Sequence, residues 1–235
     1  GMKLENLCVK YGENVIFEGF NFDIKDGEIL CVLGRSGCGK TTLLRAISGQ
    51  VKYDGKIYDL PNKISYIFQQ SRLIDNINIQ QNLQFVISEK DKEKSLEKIN
   101  IALDRMKLGG YNNRFPYSLS GGEKSRVSLA RAYCYGGDFM LMDEPFKALD
   151  IGLKYEIIQD FITAWQTSPI GVVMVTHDID EALMIGDKIV VLGGTKPTKI
   201  VYECNIDIPR NGRKVGDKEL ASVRQKIFDA LCEQQ

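Results

Sequence analysis

Apolar side chains recur along this chain in two rhythms. Met2 to Lys10 alternates loosely, and Val15 to Ile24 carries Phe17, Phe20, Phe22 and Ile24 with alternation toward its end. Both stretches predict strands. Tyr11-Gly12-Glu13-Asn14 and Lys25-Asp26-Gly27-Glu28 are the turns after them. Ile29 to Leu33, Asp138 to Met142 and Ile170 to Thr176 are short continuous apolar runs, the pattern of strands buried on both faces. Gly55 to Leu60, Lys63 to Phe68, Lys188 to Leu192 and Thr198 to Tyr202 add four more strands. Between them the period changes. Thr42 to Ile47 is helical, and so is the polar stretch Asn76 to Lys107, with Leu96, Ile99, Leu103 and Met106 as its apolar stripe and Gly109-Gly110 as its stop. Another helix opens at Leu119-Ser120. A further one begins after Asp150 with Leu153, Ile157, Ile158, Phe161 and Trp165, and a last one, about 217–232, shows Leu220, Val223, Ile227 and Leu231 on one face.

Composition narrows the class without naming a function. The chain has 235 residues, enough for one large α/β domain or a core with a smaller insertion. Its 31 basic and 31 acidic residues balance, so nothing draws it toward nucleic acid or an acidic membrane surface. Six cysteines lack C-x-x-C spacing, which argues against a zinc site or a disulfide framework and for a reducing compartment. No run of about eighteen apolar residues is present to span a bilayer. No signal peptide is visible, and Gly1 before Met2 reads as an expression-tag scar. The chain stops soon after its last helix, which argues for one domain over 1–235 without an added regulatory one.

The chemistry concentrates where strands end. Gly34-Arg35-Ser36-Gly37-Cys38-Gly39-Lys40-Thr41-Thr42 fits G-x-x-x-x-G-K-[ST], preceded by an apolar run and succeeded by a helical pattern. Glycines let backbone N–H groups close around phosphate, and the helix start adds partial positive charge there. Lys40 reaches the β- and γ-phosphates and the Thr41 hydroxyl holds Mg²⁺. The motif alone does not separate a kinase, a GTPase and a transport ATPase. Asp143-Glu144 ends a hydrophobic strand, where two acids are costly unless they meet a metal, a proton or a partner. Asp143 suits the Mg²⁺ shell and Glu144 the attacking water. Gln69 and His177, the one histidine, also sit at strand ends, and in open α/β sheets ligands bind there. A lone histidine is more often structural. Tyr11 suits either base stacking or local packing. Ser120 and Glu123 can form a capping box, but the pair Gly121-Gly122 costs about a kcal/mol each in a helix. Bare N–H groups at a helix start make an anion site. The fold expected is α/β: a P-loop NTPase core with a mixed central sheet, an N-terminal antiparallel β part and a helical subdomain inserted over roughly 71–136.

Taken together these motifs resemble the ATP-binding subunit of an ATP-binding cassette transporter, over nearly the whole chain. The P-loop matches at Gly34 to Thr42, the Q-loop at Phe68-Gln69, and the signature at Leu119 to Glu123 together with Arg126 to Ala132. The Mg²⁺ strand and catalytic Glu match at Leu141 to Pro145, the D-loop at Ala148-Leu149-Asp150, and the switch His at Val175 to Asp178. Phe68 to Ile74, Phe115-Pro116 and Asp143 to Phe146, with the ending around Ile206 to Arg210, look like the nitrate/sulfonate/taurine importer group. The resemblance implies ATP and Mg²⁺, with a head-to-tail homodimer formed on ATP. Ser120, Gly121 and Gly122 would then face the partner's nucleotide, and Asp150 would couple the pair. Tyr11 would stack on adenine, His177 would meet the γ-phosphate, and Gln69 would touch both Mg²⁺ and the permease. It also implies transmembrane permease subunits, a solute-binding protein, no nucleic acid, and a place on the cytoplasmic face of the membrane. Glu123 stands where the family usually has Gln, and Lys147 where Gly is common. A soluble cassette acting on nucleic acid or ribosomes is the rival, but the chain has neither a second cassette nor a basic footprint. A GTPase would want an Asn-Lys-x-Asp base reader, and none is found.

Overall fold

A computed structural model describes residues 1–233, so the last two residues of the expected 1–235 domain lie outside the described residues. Strands β1 (Met2–Tyr11), β2 (Asn14–Ile24) and β4 (Asp54–Tyr58) form an antiparallel sheet in the order β2-β1-β4. The larger sheet takes β3 (Ile29–Gly34), β5 (Ile64–Ile67), β6 (Phe139–Asp143), β7 (Gly171–Val175), β8 (Lys188–Gly193) and β9 (Lys199–Asn205), in the order β5-β6-β7-β3-β8-β9. Its first five strands run parallel and β9 closes the edge antiparallel, so the sheet is mixed as expected. Every residue of β3, β6 and β7 is buried, which is why their apolar runs are continuous.

Alternate side chains feed two cores. Leu30 and Val32 of β3 pack with Phe17, Phe22 and helix α1 (Lys40–Ile47) between the two sheets. Ile29, Cys31 and Leu33 face the other way, among side chains that include those of α3 (Lys92–Arg105), α4 (Gly121–Tyr135), α5 (Ile151–Thr167), α6 (Ile179–Ile185) and α7 (Lys218–Cys232). Both faces of the sheet are therefore covered, and its parallel strands all point their carboxyl ends at one edge.

The stretch 76–107 is not one helix. Asn78 and Gln81 form a capping box that starts α2 (Ile79–Gln84), and Asp91 starts α3 separately. The expected stripe is also rotated. Ile99, Leu103 and Met106 are buried, but Leu96 is exposed and Ser95 with Ala102 take its place. Helix α6, which the sequence pattern did not predict, is only seven residues long; Asp178 caps it and its side chains from Glu181 to Ile185 are buried. Helices α2, α3 and α4 lie between β5 and β6 in the chain, where the insertion is expected.

Candidate nucleotide site

The loop between β3 and α1 is shaped by glycine. Gly39 caps α1 at φ 103°, and a Cβ there would stand 2.6 Å from Ile16 Cγ2. Both facts demand glycine. The first turn of α1 carries no acid and no side-chain cap, so its N–H groups keep their positive end free. Lys40 lies back across the loop, its ammonium donating to the Gly34 carbonyl at 2.6 Å and the Arg35 carbonyl at 3.0 Å. The Thr198 hydroxyl donates to the Cys38 carbonyl at 2.7 Å and the Thr198 N–H to the Ile16 carbonyl at 2.8 Å, bracing the loop from the β8–β9 connection.

The acids stand beside it. The Thr41 hydroxyl donates to Asp143 Oδ2 at 2.8 Å. Burial pushes the Asp143 carboxyl above its ordinary range, the Thr41 bond opposing and the Glu144 charge adding. Glu144 has φ 48°, a left-handed conformation that costs a non-glycine residue about 1–3 kcal/mol and clusters at functional sites. Its N–H donates to the Val175 carbonyl at 2.9 Å, which ties the turn to the end of β7. Its carboxylate oxygen Oε2 meets Lys147 Nζ at 3.1 Å and His177 Nδ1 at 3.1 Å. The backbone at His177 is fixed by its neighbour Asp178. The Asp178 side chain caps α6, and Lys154 Nζ reaches both Asp178 Oδ2 at 3.0 Å and Glu181 Oε1 at 2.9 Å.

Thr41, Gln69 and Asp143 line one cavity of about 190 Å³. A hydroxyl, an amide oxygen and a carboxylate are hard donors, and few of them come from protein. That set fits Mg²⁺ completed by water and phosphate better than a protein cage. Among the described residues no cluster of three or more His, Cys, Asp or Glu could hold a metal by itself. Ser36, Gly37, Gly39, Lys40, Thr41, Thr42, Gln69 and Glu144 line an adjoining pocket of about 280 Å³. The sequence-predicted residues thus converge, with Gly34, Arg35 and Cys38 in the same loop and His177 joined through Glu144. Ile16, Lys147 and Lys196 also line the pocket, a place that the motifs assign to none of them. Lys147 could have been found from its spacing of three from Glu144. Lys196 has no local signal, because only the fold brings its loop here.

Three expected elements stand apart from that lining. Tyr11 ends β1, opposite Asn14, and is exposed. Asp150 caps α5 through the Leu153 N–H at 3.3 Å. Ser120 caps α4: its hydroxyl accepts the Glu123 N–H at 3.2 Å and Glu123 Oε2 accepts the Ser120 N–H at 2.8 Å. Tyr111 donates its hydroxyl to Glu123 Oε1 at 2.8 Å, so the departure to Glu at this position is fully bonded. A Cβ on Gly122 would stand 3.0 Å from the Ala148 carbonyl, so that glycine has a packing reason. A Cβ on Gly121 would meet nothing within 4 Å, so Gly121 has none.

A separate groove of about 350 Å³ lies beside β5 and the Gln69 loop, lined among others by Phe68, Arg72, Ile74, Phe85 and Arg131. Phe85 is 77 % exposed. Arg131 donates to the carbonyls of Ser71 at 2.7 Å and Arg72 at 2.8 Å, fastening that loop to α4.

Residues 17–147 match the ABC transporter family. The aliphatic sulfonates import ATP-binding protein SsuB of Granulibacter bethesdensis is 35% identical over 230 residues, covering 98% of this chain and 94% of that one. The SsuB of Bacillus cereus is 33% identical over 223 residues, covering 91% and 87%. Among solved structures, the dimeric post-hydrolysis state of the ATP-binding cassette MJ0796 bound to ADP and Pi superposes with a TM-score of 0.78, at 28% identity, over 89% of this chain and 100% of that one. With the P-loop, the paired acids and the second helix start in place, the chain belongs to the ABC transporter family, as an ATP-binding, ATP-hydrolysing subunit.

Proposed function

We propose that two copies of this chain close head to tail on ATP and so drive a permease that imports a solute. The observation that carries this is the position of Gly121. It opens a helix, a Cβ on it would meet nothing within 4 Å, and it is absent from the lining of the chain's own nucleotide pocket. A helix start of this kind suits a phosphate brought by another copy. ATP then acts as a ligand that shifts an association equilibrium, and hydrolysis releases it.

Within each pocket the roles come from chemistry. Lys40 leaves its loop carbonyls for the β- and γ-phosphates. Thr41, Asp143 and Gln69 hold Mg²⁺, which would neutralise phosphate charge. Glu144 is the general base for the attacking water, and His177, one hydrogen bond from Glu144, faces the γ-phosphate. Gly34 to Thr42 wrap the phosphates and Tyr11 stacks on the base. Ser120, Gly121 and Gly122 complete the partner's site, and Asp150 couples the two. Residues of roughly 71–136 act as the inserted unit that carries this second half-site.

The groove beside Gln69 is the docking place for the permease. Phe85 and Ile74 offer exposed apolar side chains there, next to the loop that senses Mg²⁺. No described helix is long and apolar enough to cross a membrane, so a separate permease would supply the path, with this chain on its cytoplasmic face. A solute-binding protein and the permease choose the solute. The sulfonate names of two relatives make an alkyl sulfonate the first to test.

Glu144→Gln is the experiment. The variant is expected to bind ATP, to lose at least about a hundredfold in turnover, and to accumulate as a dimer with ATP and Mg²⁺ by light scattering. A variant that turns over like the parent removes Glu144 from its role. One that stays a single copy at saturating ATP ends the dimer reading.

A further inference from the structure

Lys147 presents a charge that none of the motifs accounts for. The Lys147 N–H donates to the Glu144 carbonyl at 3.3 Å, closing a turn across Pro145 and Phe146, both buried. That turn sets the two side chains on one side, and Lys147 Nζ lies 3.1 Å from Glu144 Oε2. Lys147 is 52 % exposed, and an ion pair in that setting adds little to stability, about 0–1 kcal/mol. Its value must lie in geometry.

The geometry is asymmetric. His177 Nδ1 and Lys147 Nζ both approach Oε2, while Oε1 accepts no hydrogen bond among the described residues. Glu144 also has a neighbour of its own charge in Asp143, and its pocket is built for a polyanion. Like charge on two sides would turn an unrestrained carboxylate away from the phosphates. Lys147 lines the same pocket as the phosphate loop, so its ammonium holds the carboxylate there.

We propose that Lys147 is a positioning residue for hydrolysis: it anchors Oε2 of Glu144 and leaves Oε1 as the oxygen that takes the proton from the attacking water. This rests on Glu144 being the general base. A base held in one orientation avoids the rate loss that about an ångström of misplacement brings.

The test uses Lys147→Met, which keeps length without charge, and Lys147→Arg, which keeps charge. Lys147→Met is expected to lower kcat about tenfold with KM for ATP within about twofold, and Lys147→Arg to restore most of it. Added to Glu144→Gln, Lys147→Met is expected to cause no further loss, because it acts through the carboxylate. Unchanged kcat in Lys147→Met, or an additive loss on the Glu144→Gln background, overturns the proposal. So does a several-fold weaker ATP affinity on that background, which would place the ammonium on phosphate instead. If the parent chain hydrolyses ATP but Glu144→Gln does so equally well, the assignment of the base has failed and Lys147 falls with it.

Discussion

Lys154 Nζ stands 3.0 Å from Asp178 Oδ2, and this one contact joins the helix that Asp150 begins to the residue after His177. Burial works against the Asp178 charge, but the Lys154 ammonium and the first amides of α6 outweigh it and hold the carboxyl below the usual range. Burial likewise opposes the Lys154 charge, and its bonds to Glu181 and Asp178 win, holding the ammonium above its ordinary range. Lys154→Met strands two acids, Glu181 nearly buried, and is expected to cost about 2 kcal/mol, or about 4–8 °C in melting temperature for a chain of this size. The depressed Asp178 contributes stability above the ordinary carboxylate range and loses it as pH falls through its lowered value. The raised Lys154 contributes below its ordinary value and loses it as pH rises through its raised one. Melting curves of parent and variant should therefore differ by a constant near neutral pH and converge in strong acid.

Asp143 has the opposite sign. Its carboxyl is pushed up by burial, so its charge works against the nucleotide-free fold at neutral pH. Asp143→Asn keeps an acceptor for the Thr41 hydroxyl and is expected to melt about 1–3 °C higher at pH 7, while Mg²⁺-dependent phosphate release falls at least about a hundredfold. Calorimetry without nucleotide and a phosphate assay give the two readings.

Position 121 separates capping from ligand binding. Gly121→Ala meets no atom and gains helix propensity, up to about 1 kcal/mol. The variant should be as stable as the parent or more so, yet its ATP-dependent dimer, read by light scattering on the Glu144→Gln background, should weaken. Ser120→Ala behaves differently, losing the cap as well as the dimer, with about 1 kcal/mol of stability gone.

Phe85→Ser tests the groove. A side chain so exposed contributes little to the fold, within about 0.5 kcal/mol. ATP affinity should stand, while recovery of the chain with detergent-solubilised permease should drop.

Much of this site is legible without coordinates because it lies in short, contiguous signals. Gly34 to Thr42 needs a strand before it and a helix after it, and both periods are plain. Asp143, His177 and Gln69 can be grouped because parallel strands share one polarity. What stays hidden depends on side-chain packing or distant contacts. Leu96 has helical spacing yet faces solvent, while Ser95, whose hydroxyl donates to the Glu89 carbonyl, and Ala102 are buried. Asn78 caps the start of α2 and Asp91 restarts the chain as α3 after the break, and a polar stretch disguises both caps. Helix α6 is too brief to show a period. Tyr11 carries an aromatic signal, but it is Ile16, not Tyr11, that lines the pocket.

The brace from Thr198 to the Cys38 carbonyl spans 160 positions of chain. A fragment cut just beyond Asp178 would keep all six cassette motifs and still lack the prop beneath its phosphate cradle. Completeness of motifs and competence to grip a nucleotide are different properties here, and the second is decided by a threonine that no signature contains.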